Sequence, residues 1–476
     1  MNLQSNSKNG SRITVQNPHN YNWVFLGLSI IALLGLVVTQ ENRQIVMFIV
    51  VLLIGVLMFI YPRFRFYGIL VPLMVYHLRL STILPWADIN AIVFGTGDSG
   101  LTLLEILLAV CFGLVILDIF MMRWKPESNH SGLGFWLGVS SLVGLAVWAS
   151  LNSFQAGDRG WSGPIRFCLF PLVVPIILHI QWNKEQILKH VTLLGYIGWA
   201  ICLAQWISLI STGELTSHSL FVMQFPMALA LGSIALNRMG LKQILIILFF
   251  SSLYFFYERS LTPIVQLFGM CVAAIKLSKS LSNRKKWFIV TSAVLIAIIF
   301  VALVWSTASH KLEAEGKSVY TEETLYTGTM DFLTSKLATR AQLWKPAIES
   351  IMNHPFTPSA IINIEYLNYF SLGYMTWNVS THNSYLDLLL ILSLLAIPGL
   401  IIVTIGLYRI WKLAVFRSSL LGLEKITYAL GIYLVGFLFS FNFGPQLILA
   451  EDAPFFWIAI GFLWSITRVE KLSKQE

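Results

Sequence analysis

Apolar runs close to twenty residues long recur along the chain from residue 23 to residue 467. As a helix, each is long enough to cross a hydrocarbon core about 30 Å thick. Lipid offers no water to a backbone N–H or C=O, so segments of this kind must close their own hydrogen bonds. The pattern predicts an all-α, polytopic integral membrane protein of about 14 transmembrane helices (range 12–14). The expected spans are approximately 23–40, 44–61, 66–85, 101–121, 133–151, 165–181, 190–210, 219–236, 241–257, 262–277, 287–306, 383–407, 426–443 and 453–467. Composition agrees, with 56% hydrophobic and 12% charged residues and a mean hydropathy of +0.72. A soluble domain carries about twice that share of charge. One membrane domain is a simpler reading of 476 residues than two or three soluble ones.

The position of the charges sets the orientation. In a soluble protein a net charge of +9 would suggest nucleic acid or an acidic partner, but here the cations sit in loops. With the N-terminus inside, the cytoplasmic loops hold Lys8, Arg12, Arg63, Arg65, Arg123, Lys125, Lys184, Lys189, Arg238 and Lys242. They also hold the cluster from Lys276 to Lys286, and then Arg409, Lys412, Arg417, Lys425, Arg468, Lys471 and Lys474, which makes 22 of the 32 basic residues. The positive-inside rule therefore selects both termini inside, and the charge reads as topology with no nucleic-acid role. The polar stretch through Asn22 leads into the first apolar run without a small-residue cleavage site, so the first helix is expected to be a retained anchor. Cys111, Cys168, Cys202 and Cys271 all lie in apolar runs without metal-ligand spacing; they read as small buried hydrophobes, and no disulfide or metal is predicted.

The expected organisation is a cytoplasmic tail (1–22), eleven transmembrane helices (23–306), a large extracytoplasmic loop (307–381), three further helices (382–467) and a second tail (468–476). The loop carries Glu313, Glu315, Glu322, Glu323, Asp331, Glu349 and Glu365 among many Ser and Thr. At that length it reads as a folded cap. Leu337, Ala341, Trp344, Ile348 and Ile351 recur at helical spacing, which predicts a short amphipathic helix interrupted or restarted at Pro346.

Walker A, HExxH and GxSxG patterns are missing from the sequence, which points away from ATP-driven transport. Cations placed against the positive-inside bias remain. Arg159 and Arg166 flank the sixth helix, Arg259 opens the tenth, Arg340 lies in the cap, and His382 with Asn383 stands where the cap re-enters the membrane. An intramembrane or interfacial arginine is a functional hypothesis by default, and its fork of donors matches phosphate oxygens. His382 is the side chain best able to exchange a proton near neutral pH. The plainer readings are a cap or interface role for His382, snorkelling for Arg79, and pairing or helix-end positions for Glu105, Asp118 and Asp387.

The run THNSYLDLLLILSLLAIPGL from Thr381 resembles the signature of the O-antigen polymerase and ligase superfamily (Wzy and WaaL) at His382, Asn383, Tyr385 and Leu386. Where the family favours glycines further along this helix, the chain has Ser393 and Ala396. RAQLWKPAIESIMNHP, from Arg340, resembles the family's loop segment, and ERSLTPIVQLF, from Glu258, resembles its short periplasmic turn.

The resemblance implies an inverting, metal-independent glycosyl transfer from undecaprenyl-diphosphate-linked oligosaccharide at the periplasmic face of the bacterial inner membrane, with no cofactor. It assigns Arg166 and Arg259 to the diphosphate, Arg159 and Arg340 as secondary contacts, His382 to acceptor activation and Asn383 to the helix cap or a sugar. Membrane lipids, a chain-length regulator and a flippase are the implied partners. Polymerisation of exopolysaccharide or O-antigen repeats is the leading expectation. Ligation onto lipid A core or protein is the alternative, and transport of lipid-linked sugars a third reading.

Overall fold

The apolar runs fold as helices. A computed structural model describes residues 43–78, 92–94, 101–121, 130–155, 168–180, 182–212, 224–238, 240–257, 262–278, 347–358, 383–441 and 452–469, with isolated residues between. The elements are α1 (Arg43–Ile60), α2 (Phe64–His77), α3 (Leu103–Phe120), α4 (His130–Gln155), a 3-10 turn (Phe170–Leu172) running into α5 (Val173–His179), α6 (Lys184–Thr212), α7 (Gln224–Ala235), α8 (Leu241–Tyr257), α9 (Thr262–Leu277), α10 (Ser384–Leu392), α11 (Ala396–Leu421), α12 (Glu424–Ser440) and α13 (Ala453–Arg468). Four described helices are long and apolar enough to cross a membrane, at Leu103–Phe120, Gly132–Asn152, Lys184–Ser211 and Ala396–Leu421. The expected spans 23–40 and most of 287–306 lie outside the described residues. One departure from all-α is a short antiparallel pairing of β1 (Ile92–Phe94) with β2 (Leu101–Thr102). It delivers Thr102 as the N-cap of α3, where Thr102 N–H donates to Glu105 Oε2 at 2.8 Å and Glu105 N–H to Thr102 Oγ1 at 3.4 Å. This reciprocal box accounts for a carboxylate near the membrane.

Arg65, read from the sequence as a loop cation, is instead in the first turn of α2 and fully buried. Its Nη2 lies 2.8 Å from Asp118 Oδ2 on α3. Its Nη1 lies 3.1 Å from His179 Nδ1 on α5, and its Nε donates to Met58 O at 3.2 Å. That carbonyl belongs to the last turn of α1, where no intrahelical partner exists. His179 Nε2 is 3.1 Å from the same Asp118 oxygen. A neutral imidazole with its proton on Nε2 satisfies both contacts, donating to the carboxylate and accepting from the guanidinium. The plain reading of Asp118 as a paired carboxylate is what the structure shows.

Helices α4 and α11 pack through small residues, as expected where lipid supplies no hydrophobic drive between helices. A Cβ on Gly138 would stand 2.8 Å from Val403 N, and one on Gly406 2.8 Å from Phe135 Cα, so only glycine allows this spacing. Every residue of α13 from Ala453 to Thr467 is buried, which makes the C-terminal helix a central post of the bundle. All four cysteines are free thiols, and Cys111, Cys202 and Cys271 are buried.

The sequence predicts one helix over 383–407, but the structure breaks it. Ser393 sits at φ 61°, ψ −176°, a region that is essentially glycine's alone. Helix α11 restarts at Ala396. Pro398 gives the reason: in a continuous helix its ring would clash with the carbonyl four residues back, whereas in the first turn its missing N–H costs nothing. Ser393 Oγ accepts from Leu395 N at 3.3 Å, and Leu394 N donates to Pro355 O at 3.0 Å. Ser393→Gly is expected to relieve the strain and raise stability by about 1 kcal/mol, read as a higher Tm of the detergent-purified protein. An unchanged or lower Tm would show that Ser393 is unstrained.

Candidate functional site

The residues that carry the sequence argument meet the described structure at the start of α10. Asn383 is in an extended conformation (φ −146°, ψ 104°), and its Oδ1 accepts from Tyr385 N at 3.0 Å and Leu386 N at 3.1 Å. This is a full N-cap, so the capping half of the Asn383 expectation is met. His382, Arg159, Arg166, Arg259 and Arg340 lie outside the described residues.

What the structure does describe is the start of α10 and its neighbours. Helix α10 is held by three neighbours, the end of α12, α4 and the run 347–353. Ser384 N donates to Phe441 O at 2.7 Å and Tyr385 Oη to Leu438 O at 3.1 Å, so two otherwise unmatched carbonyls at the end of α12 are satisfied by the first turn of α10. Leu388, Ile391 and Leu392 pack on Ala146 and Ala149 of α4. On another side Leu390 packs against Ala347 and Ile351 of the helical run 347–353. The predicted amphipathic cap helix exists there in part, but Ile348, assigned to its apolar face, is 48% exposed. Asp387 is buried in the first turn of α10, where a carboxylate complements the helix dipole.

Chain ends that lead into the candidate residues share this end of the bundle. Asn152, near the end of α4, donates to Pro358 O at 2.8 Å, and the chain after α4 carries Arg159 and Arg166. Gln266, in the second turn of α9, lies against Gly436 of α12, and Arg259 precedes α9 by three residues. The helical run 347–353 follows Arg340, and Asn383 follows His382. The opposite end offers a cavity of about 340 Å³ lined by Tyr67, Glu185, Leu188, Lys189, Thr192, Leu193 and Tyr196. Beside it His190 is a satisfied core histidine, 2.6 Å from Tyr67 Oη, 2.7 Å from Gln186 O and packed on Trp182 and Phe462. No group of His, Cys, Asp and Glu able to hold a metal occurs among the described residues.

Sequence reasoning missed the Arg65–Asp118–His179 network. Its one signal was Asp118, a lone carboxylate in an apolar run that needs a partner to be buried. It also missed two buried amides, Gln224 and Gln266.

The architecture is a helical bundle with four helices long and apolar enough to cross a membrane, in which the end of α4, the starts of α9 and α10 and the end of α12 share one rim. Residues 246–392 match the family model described as O-antigen ligase, a stretch that begins within α8 and ends on the last residue of α10. This match supports the O-antigen polymerase and ligase superfamily and implies a glycosyltransferase-like membrane enzyme. No curated protein matches the chain.

Proposed function

We propose that the chain is a polysaccharide polymerase that transfers a growing undecaprenyl-diphosphate-linked glycan onto the next lipid-linked repeat unit. The observation that supports glycosyl transfer of this class is the family match over residues 246–392, whose end coincides with the helix that Asn383 caps. The reaction runs at the periplasmic face of the inner membrane, in a bundle of about 14 helices with both termini inside, as the basic-residue bias requires. The segment 307–381 is the periplasmic cap. Arg166 and Arg259 stabilise the charge that develops on the leaving diphosphate, with Arg159 and Arg340 as further contacts. His382 takes the proton of the acceptor hydroxyl. Transfer inverts the anomeric centre and uses no metal. A chain-length regulator and a flippase act beside it. The description of the matched family favours a second reading, in which the same donor is transferred to lipid A core or protein.

Cells lacking the chain separate the two. Loss of a polymerase leaves single lipid-linked repeats; loss of a ligase leaves full-length polymer on the carrier lipid. Arg259→Lys keeps the charge but loses the fork of donors, so polymer yield is expected to fall at least tenfold, by the loss of about 1.5–3 kcal/mol of charge-assisted hydrogen bonding, while the protein still inserts. Wild-type yield from Arg259→Ala would remove this residue from the mechanism.

A further inference from the structure

Three helices, α7, α9 and α12, meet around two glutamines with no exposed surface. Gln224, the first residue of α7, donates through Nε2 to Pro263 O of α9 at 3.5 Å, while its Oε1 has no partner. Gln266, one turn further along α9, has a partner for neither Nε2 nor Oε1. A Cβ on Gly436 of α12 would lie 3.0 Å from Gln266 O and 3.1 Å from its Cγ, and Phe225 packs against Tyr433 of the same helix with centroids 4.1 Å apart. Helix α12 therefore serves as a ruler. Its Leu438 and Phe441 carbonyls receive the first turn of α10, so the Gln266 contact at Gly436 is at most five residues, about 7.5 Å of helix rise, below the cap that follows His382.

Burying an amide without partners is unfavourable, and native interiors rarely leave one unmatched. Two such amides on facing helices, one of them within about 7.5 Å of helix rise of the start of α10, mark a place that a polar ligand completes. The unmatched atoms identify its chemistry. Gln224 is pinned by the Pro263 carbonyl, which only its NH₂ can address, so the open atom is an acceptor and requires a donor. Gln266 offers one acceptor and one NH₂ whichever way its amide is turned. A diphosphate at neutral pH only accepts. A sugar hydroxyl both donates and accepts.

We infer that Gln224 and Gln266 form a sugar-reading subsite that binds hydroxyl groups of the lipid-linked glycan next to its diphosphate. The inference rests on the functional reading above and deepens it: arginines hold the phosphates, and the amide pair distinguishes a carrier lipid that bears sugar from one that does not.

The test uses the full chain in lipid nanodiscs and two probes, undecaprenyl diphosphate and the lipid-linked repeat extracted from cells lacking this chain. Gln266→Met preserves length and apolar packing while removing both hydrogen-bonding groups. Its affinity for the lipid-linked repeat is expected to fall about tenfold, the worth of one or two hydrogen bonds, with undecaprenyl diphosphate bound as by wild type. If Gln266→Met does not accumulate, Gln224→Met removes the open acceptor and carries the same expectation. An equal loss for both probes would assign the amides to the diphosphate and overturn the inference. No loss for either, with a raised Tm, would make them interhelical packing and overturn it equally. Wild type that binds neither probe overturns the functional reading and the subsite with it, whereas a variant that keeps wild-type preference for the sugar-bearing probe overturns the subsite alone.

Discussion

His382→Ala is expected to abolish chain extension while leaving abundance and donor binding nearly unchanged, with unpolymerised lipid-linked repeats accumulating in the membrane. The expected loss in rate is about 10²- to 10⁴-fold, the usual contribution of one general base. Abundance should hold because residues 383–385 themselves anchor the start of α10. Asn383 caps the helix, and Ser384 and Tyr385 tie it to α12 at 2.7 and 3.1 Å. His382→Gln refines the test, since glutamine can hydrogen-bond the acceptor hydroxyl but cannot take its proton. Normal polymer from the Gln variant would limit His382 to positioning the acceptor, and Asp387, buried one turn into α10, and Glu258 would become the next bases to replace. Normal polymer from the Ala variant would leave His382 no part in the reaction.

The largest expected effect on stability lies elsewhere, at the buried ion pair of α2 and α3. Asp118→Ala leaves the Arg65 guanidinium, which has no exposed surface, facing a neutral imidazole and a carbonyl with no counter-charge. Removing one partner of a buried pair costs about 3–5 kcal/mol, and folded protein in the membrane should fall accordingly, measured as yield and Tm after extraction. Replacing both charges with apolar residues of similar size, Arg65→Met with Asp118→Leu, is expected to recover most of that loss, because buried pairs are often no better than well-packed hydrophobes. Polymer formation should recover with it, since the pair is at the end of the bundle away from Asn383. A double variant that folds but makes no polymer would show that the network acts in the reaction.

How far the sequence could be read differed from one part to another for physical reasons. The spans 241–257 and 262–277 coincide with α8 and α9, since an apolar run bounded by polar residues is a local property. The break in the helix after His382 was equally local, and Pro398 announced it, but the Leu-rich run on either side outweighed one imino acid. Arg65 was different in kind. Next to Pro62 and Arg63 it has the look of a loop residue. Its burial depends on His179, which lies 114 positions away, and on Asp118, and such pairings cannot be read from one sequence. Gln224 and Gln266 carry no charge to stand out in an apolar run, and only their missing partners in the packed bundle reveal them. The capping role of Asn383 was legible because an Asn directly before an apolar helical run is itself the signal. The roles of the arginines and of His382 rest on their place in the sequence and on the family resemblance.

The most direct measurement reconstitutes the purified chain in liposomes with the extracted lipid-linked repeat and follows product length on a gel, in a buffer containing a metal chelator. The account predicts a ladder of carrier-linked chains, each rung one repeat longer than the last, formed without nucleotide and absent with His382→Ala. Repeats that stay single in the liposomes, yet pass to lipid A core once it is added, would contradict the polymerase reading in favour of the ligase.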